Sequence, residues 1–333
     1  MENEYMKTSM QCKKNSSMVG IGLLGCGHHC LGAHAESLLK DKRVRIGHAY
    51  DPLPSSIAAL NALKTVSAAG SEKDLLSKEL DAVFIMTPDE LHADSLREAV
   101  RAGKHVFVEK PLAVSLAQLE IVKEALEEAK RKGLVISSCH PRRFDPPFVW
   151  LKKKLPRLIE ALGEVQLFEF DFSYHTPYKE WKHTRGLLID HANHEIDLVN
   201  WYFGASSFKA TRLLDTPMAY HVTGVRRDGI RFSFNGTRKL ATRVYRESVR
   251  IRFDKGELIL CATNGEAIIV NHESKKQLRI KVPKTDHEAR TAAVNENFVG
   301  AVRGEVQNYL TPEDILTNTA FGVMLTEQET WQQ

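Results

Sequence analysis

The spacing of apolar and polar positions changes its rhythm near residue 146. Before that point, short apolar runs at 19–24, 44–50, 82–86, 105–108 and 134–137 alternate with helix-length segments. Buried strands separated by amphipathic helices are the pattern of βαβ units around a parallel sheet. Two of the helices are well marked. In 116–132, Leu119, Val122, Leu126 and Ala129 recur at helical spacing behind Ser115, a candidate cap, and in 90–101 Leu91, Leu96 and Val100 do the same. Beyond Pro146-Pro147, strand-like runs at 165–172, 222–226, 230–234, 249–253, 257–260, 267–270 and 278–282 follow one another with few helices between. Such closely spaced strands predict an antiparallel sheet. An amphipathic segment near 187–201 and terminal helices near 289–302 and 312–330 are the exceptions.

Glycine placement gives the first half a chemistry. Gly25-Cys-Gly27-His28-His29-Cys30 follows the first apolar run at the expected start of a helix. There a first glycine allows a tight turn, a second lets backbone amides approach a pyrophosphate, and the helix N-terminus favours negative charge. Cys30, small but not glycine, stands at the third position. Asp51 closes the second run, about 20 residues beyond the turn, where a carboxylate would accept hydrogen bonds from ribose hydroxyls and repel a 2′-phosphate. NAD is therefore expected over NADP. The plainer role for Asp51 is to cap a turn before Pro52. The chain thus divides into a flexible tail at 1–17, an α/β Rossmann dinucleotide-binding domain at 18–145, and an α+β domain with a large, mostly antiparallel open sheet at 146–333. The last of these would serve substrate binding and self-association, with C-terminal helices free to pack back on the first domain.

Composition narrows the classes. With 333 residues, two domains are the natural division. Forty-six basic and 42 acidic residues leave +4, interspersed rather than gathered into a basic stripe, so no nucleic-acid partner is expected. No apolar run approaches the roughly 20 residues that cross a bilayer. Glu2, Glu4, Lys7, Lys13 and Lys14 leave the N-terminal tail without the apolar core of a secretory signal. Five scattered cysteines, an odd number, fit free thiols in a reducing, cytoplasmic setting. Cys26, His28, His29, Cys30 and His34 look like metal ligands as a string. All of them lie in one glycine turn and its helix with no second ligand pair, so no metal is expected.

Four further motifs carry a resemblance. Thr87-Pro88-x-x-x-His92, Glu109-Lys110-Pro111, Arg143-Phe144 and Asp190-x-x-x-His194-x-x-Asp197 resemble the Gfo/Idh/MocA oxidoreductases, a family that includes glucose–fructose oxidoreductase and inositol dehydrogenase. The resemblance runs from Val19 onward and is strongest from Ala82 to Phe144. It implies a cis bond before Pro111, a catalytic Lys110 turned to the nicotinamide, a catalytic Asp190 and His194, and a homodimer or homotetramer. Asp190 and His194, four apart on a helix, share one face. His194 is the expected base, Lys110 the group polarising oxygen, and Asp190 the orienting group. Gly25, Gly27, His28, His29, Cys30, Asp51, Thr87, Pro88, His92, Glu109 and Lys110 are expected to border the cofactor.

The implied reaction is hydride transfer between NAD and a secondary alcohol of a sugar, sugar acid or cyclitol. Two basic clusters would flank the cleft, so an anionic sugar is expected on Arg143, Lys182 or Arg185, with Trp181 against its ring. Solvated surface charge is the alternative for these clusters. His191 and Asp197 complete the expected substrate contacts. Two other classes share the fold: an enzyme that retains NAD and oxidises transiently to allow elimination, and a non-catalytic nucleotide sensor. The presence of Lys110, Asp190 and His194 together argues against the sensor.

Overall fold

Strand β1 (Val19–Leu24) is buried at every position. Ile21 and Leu23 belong to one apolar cluster and Leu24 to another, so the strand is covered on both faces. A π-helical turn (Cys30–Ala35) leads into α1 (Glu36–Lys40), followed by β2 (Val44–Tyr50), α2 (Pro54–Asn61), β3 (Ser67–Ala68), α3 (Glu72–Leu76), β4 (Ala82–Ile85), α4 (His92–Arg101), β5 (His105–Val108), α5 (Leu116–Lys132) and β6 (Ile136–Ser138). These belong to a computed structural model that describes residues 18–175, 186–238 and 245–333. The six strands are parallel in the order β3-β2-β1-β4-β5-β6. Strand order reverses between β1 and β4, which opens a crevice at their C-terminal ends. Helix α5 has its ends set locally: Ser115 accepts from the Gln118 amide, and Gly133 closes the helix with φ +67°.

Helix α6 (Pro146–Leu162) starts at the Pro-Pro pair that, in the sequence, reads only as a change of rhythm. Pro146 and Pro147 occupy the first turn, where no amide is needed for the helix ladder, while Pro156 lies inside the helix. Then come β7 (Val165–Ser173), α7 (Leu187–Phe203), β8 (Phe208–Asp215), β9 (Ala219–Arg226), β10 (Arg231–Thr237), β11 (Arg246–Phe253), β12 (Gly256–Cys261), β13 (Glu266–Asn271) and β14 (Lys276–Lys281). After α8 (His287–Val302) and α9 (Pro312–Glu327) the chain ends in β15 (Thr330–Gln332). The second sheet runs β14-β13-β12-β11-β7-β10-β9-β8-β15. Only the β7–β10 pairing within it is parallel.

Period-two alternation places Phe168, Phe170 and Phe172 of β7 with Phe232 and Phe234 of β10 in one cluster with residues of α6 and α7. Helix α7 differs from the amphipathic segment expected there. It is buried around nearly its whole circumference, lying between strands β9 and β10 and helix α9. The last expected helix also stops early, at Glu327, and the following residues pair with β8 as an edge strand. The chain's end returns to the parallel sheet. Val294, Phe298 and Val299 of α8 join Ile21, Phe84 and Phe107 on one side, while Ile315 and Val323 of α9 join Val83 and Val106 on the other. Among the described residues, no helix is long and apolar enough to cross a membrane.

Candidate active site

Lys110 follows β5 at the C-terminal edge of the parallel sheet, and its bond to Pro111 is cis. The His92 ring fixes this loop to its neighbour: Nδ1 lies 2.7 Å from the Pro111 carbonyl oxygen and Nε2 2.8 Å from that of Thr87. From this position the Lys110 ammonium donates to Asp190 Oδ1 at 2.6 Å and to the Asp190 carbonyl at 3.0 Å. Asp190 sits in the first turn of α7, where a carboxylate suits the helix dipole. Its other oxygen accepts from Arg238, which follows β10 and also donates through Nε to the Tyr174 hydroxyl at 2.6 Å.

Charge pairing overrides burial at both partners. Burial alone would raise Asp190, but Lys110, His191 and Arg238 hold it well below the ordinary carboxylate range. Burial would likewise lower Lys110, yet Asp190, Glu109 and Asp89 hold it above the ordinary lysine value. The pair is thus an ammonium and a carboxylate across the whole neutral range.

One helical turn on, His194 is nearly buried, and its Nδ1 has no hydrogen-bond partner. Burial, reinforced by Arg142, Lys110, His140 and His191, holds it well below the usual histidine range, so the ring is neutral. His140 packs edge-on with ring centroids 5.3 Å apart, buried, with neither ring nitrogen partnered. His191 lies 3.3 Å from the Tyr174 hydroxyl and stacks near Phe172. Buried polar atoms without partners are ready acceptors and donors for a hydroxylated ligand.

The glycine turn lies beside these groups along the sheet edge. Gly25 has φ +86°, and a Cβ there would stand 2.6 Å from the Met86 backbone; around Gly27 a Cβ would meet nothing within 4 Å. The Asp51 carboxylate accepts from the Cys26 amide at 2.8 Å and the Leu53 amide at 2.9 Å, so it caps its own turn and braces the glycine turn together. Cys30 is buried against the sheet where a third glycine would pack. Glu109 points towards this turn, with Oε1 2.7 Å from His34 Nε2 and 3.2 Å from His29 Nε2. His28 and Pro88 are exposed, and Thr87 is half-buried.

Three residues expected to contact cofactor or substrate are engaged within the protein. His92, expected at the cofactor, is 1 % exposed and holds two backbone carbonyls. Arg143 and Asp197, expected at the substrate, pair with each other at 2.7 and 2.9 Å, and Asn318 of α9 donates to the same carboxylate at 2.7 Å. They lock α7 to α9 because an arginine and an aspartate buried together need each other's charge. Trp181, Lys182 and Arg185 lie outside the described residues.

Sequence reasoning missed Arg238, Tyr174, His140 and the network beneath them. Arg142 pairs with Glu247 at 2.7 Å, Arg290 with Asp145 at 2.7 Å and with Glu247 at 3.3 Å. Arg142 also lies over the Phe170 and Phe172 rings. One signal was available. Phe232, Phe234, Gly236 and Arg238 share one face at period two, so an arginine continues a buried row and must find an anion there.

Comparison with known proteins adds a family and a fold. Residues 17–138 match the family described as "Oxidoreductase family, NAD-binding Rossmann fold". The scyllo-inositol 2-dehydrogenase (NAD(+)) of Bacillus subtilis is 33 % identical over 143 residues, 41 % of this chain and 40 % of that protein. The inositol 2-dehydrogenase of Rhizobium meliloti is 27 % identical over 201 residues, 58 % of this chain and 57 % of that one. The matches therefore span about two fifths to just over half of these relatives. The apo scyllo-inositol dehydrogenase structure from Lactobacillus casei superposes with a TM-score of 0.77 at 20 % identity, covering 95 % of this chain and 98 % of that one, so both sheets share that fold.

Proposed function

We propose that the chain, whose residues 17–138 match the NAD-binding Rossmann fold of the Gfo/Idh/MocA oxidoreductase family, oxidises a secondary alcohol of a neutral cyclitol or sugar with NAD. The observation that carries this reading is the Lys110–Asp190 pair, 2.6 Å apart, with His194 one turn further on the same helix face. NAD supplies a hydride acceptor when bound. The residues present fit such a dinucleotide: the space at Gly27 admits a pyrophosphate that a side chain would exclude, and Asp51 stands at the end of β2 for the ribose. The carboxylate favours NAD because it would repel a 2′-phosphate.

The chain's own groups divide the remaining work. The Lys110 ammonium donates to the substrate oxygen and stabilises the alkoxide as charge develops. Asp190 holds that ammonium in place, and Arg238 holds Asp190. Neutral His194 takes the hydroxyl proton and, with so depressed an affinity, releases it readily. Lys110 and Arg238 share Asp190, Arg143 sits on Asp197 and Arg142 on Glu247, so each of these four cations already has a carboxylate partner. That pairing favours a neutral polyol over the anionic sugar expected from the basic clusters. The inositol dehydrogenases among its relatives are in keeping with it.

The test is a panel of cyclitols, neutral sugars, sugar acids and sugar phosphates, read at the reduced-nicotinamide band. A neutral polyol should be the best reductant of NAD, with no step in rate through the ordinary histidine range, because burial, reinforced by Arg142, Lys110, His140 and His191, keeps His194 neutral there. If only sugar phosphates or acids react, the charge-balance argument is wrong.

The two glycines should separate folding from binding. Gly25→Ala is expected to cost at least about 2 kcal/mol, through a strained φ and a clash with the Met86 backbone. Gly27→Ala should leave stability within about 0.5 kcal/mol and weaken NAD binding instead. Thermal unfolding beside an NAD titration distinguishes these outcomes.

A further inference from the structure

We propose that His29, His34 and Glu109 form a site for one divalent transition-metal cation of the zinc class, beneath the glycine turn. Each offers a ligand atom, and the three atoms lie within 4.8 Å of one another. They also come from different elements: His29 precedes the π-helical turn, His34 lies within it, and Glu109 follows β5. The string of cysteines and histidines in the glycine turn lacked a ligand from a second element, and Glu109 provides it. His34 is wholly buried and Glu109 nearly so, while the His29 side chain is 60 % exposed and gives an ion a way in.

The hydrogen bonds around His34 set its ring for this role. Ser37 Oγ donates to the His34 carbonyl at 3.0 Å, so it accepts from the Asn295 amide nitrogen at 2.7 Å. Asn295 Oδ1 is thereby turned to His34 Nδ1 at 2.9 Å, which makes Nδ1 the donor and leaves Nε2 to face Glu109. An imidazole whose remote N–H is held by a side-chain oxygen is the usual arrangement behind a metal-ligating nitrogen. At 2.7 Å from a carboxylate oxygen, Nε2 needs a positive particle between them, a proton or a metal ion. Both rings converge on Glu109 Oε1. One cation bound by the two rings and the carboxylate takes the place of the separate protons that would otherwise have to join them. Two imidazoles and one carboxylate suit zinc and leave a coordination position open.

The experiment is a titration of the full-length protein, freed of metal by chelator, with cobalt(II) as a coloured stand-in for zinc, and a zinc competition to follow. One equivalent per chain should bind with the visible bands of low-coordinate cobalt, and zinc should displace it. His29→Ala, a change at an exposed side chain, should abolish the bands, whereas His272→Ala, an exposed histidine far along the chain, should keep them. Asn295→Ala removes no ligand atom, only the oxygen that holds the His34 ring, and should weaken binding about 10- to 100-fold. Absence of stoichiometric binding, or bands that persist in His29→Ala, would overturn the site. Neither result depends on whether the protein oxidises a polyol.

Discussion

Lys110→Met should lower the rate of NAD reduction by the best polyol on the order of 10²- to 10⁴-fold while leaving the affinity for NAD close to wild type. Removing one member of a buried ion pair ordinarily strands the other. Here Arg238 still donates to Asp190, so the carboxylate keeps a counter-charge and the fold has little reason to suffer. Methionine keeps the length of the side chain and removes only the cation. The comparison is a steady-state rate beside an NAD titration and a thermal melt on the same preparation. A rate within a few-fold of wild type would remove Lys110 from the chemistry. A collapsed melting temperature would mean that the pair is structural first.

Arg142→Leu should instead act on stability, costing about 3–5 kcal/mol, because Glu195 and Glu247 then lose the guanidinium between them. The acid side should report it most directly. Burial would raise Glu247, but Arg142 and Arg290 pull it down to about 2 from an ordinary 4.5. A carboxylate depressed on folding contributes stability that is complete above pH 4.5 and lost as pH falls towards 2. Without Arg142 that contribution shrinks, and acid unfolding should begin at higher pH. Glu195 acts on the neutral side instead: burial lifts it to about 7 against the pull of Arg142, and without that pull its charged form costs more there, a cost relieved as pH falls towards 4.5. Urea unfolding across the acid range measures both effects. An unchanged acid limb would show that Arg290 alone carries Glu247.

Much of this architecture is legible in the chain because its signals are local. The runs at β1, β2 and β5 and the helix at α5 are marked by their own residues, and the ends of α5 by Ser115 and Gly133. Helix α6 is hidden because the Pro146-Pro147 pair reads as a break when it is in fact the first turn. Helix α7 read as one-sided because the burial of its second side is created by α9, more than 100 residues later. The site divides the same way. Lys110, Asp190 and His194 stand in recognisable motifs, and the structure brings the first two into contact. No local pattern says that Arg143 faces Asp197, since that depends on how the turn at Pro141–Arg143 meets α7. Arg238 belongs to neither case, because it continues a period-two row through Phe232 and Phe234 but stands in no motif of its own.

The His92 clamp has a consequence for anyone who would redesign this protein. Its ring bonds to two backbone carbonyls, so a mutational library chosen by side-chain chemistry at Lys110, Asp190 and His194 would omit it. Yet the segments carrying Thr87 and Lys110 are both tied to that one imidazole. Changes in these two segments should therefore be epistatic: a double-mutant cycle between them should return a coupling that disappears once His92 is replaced.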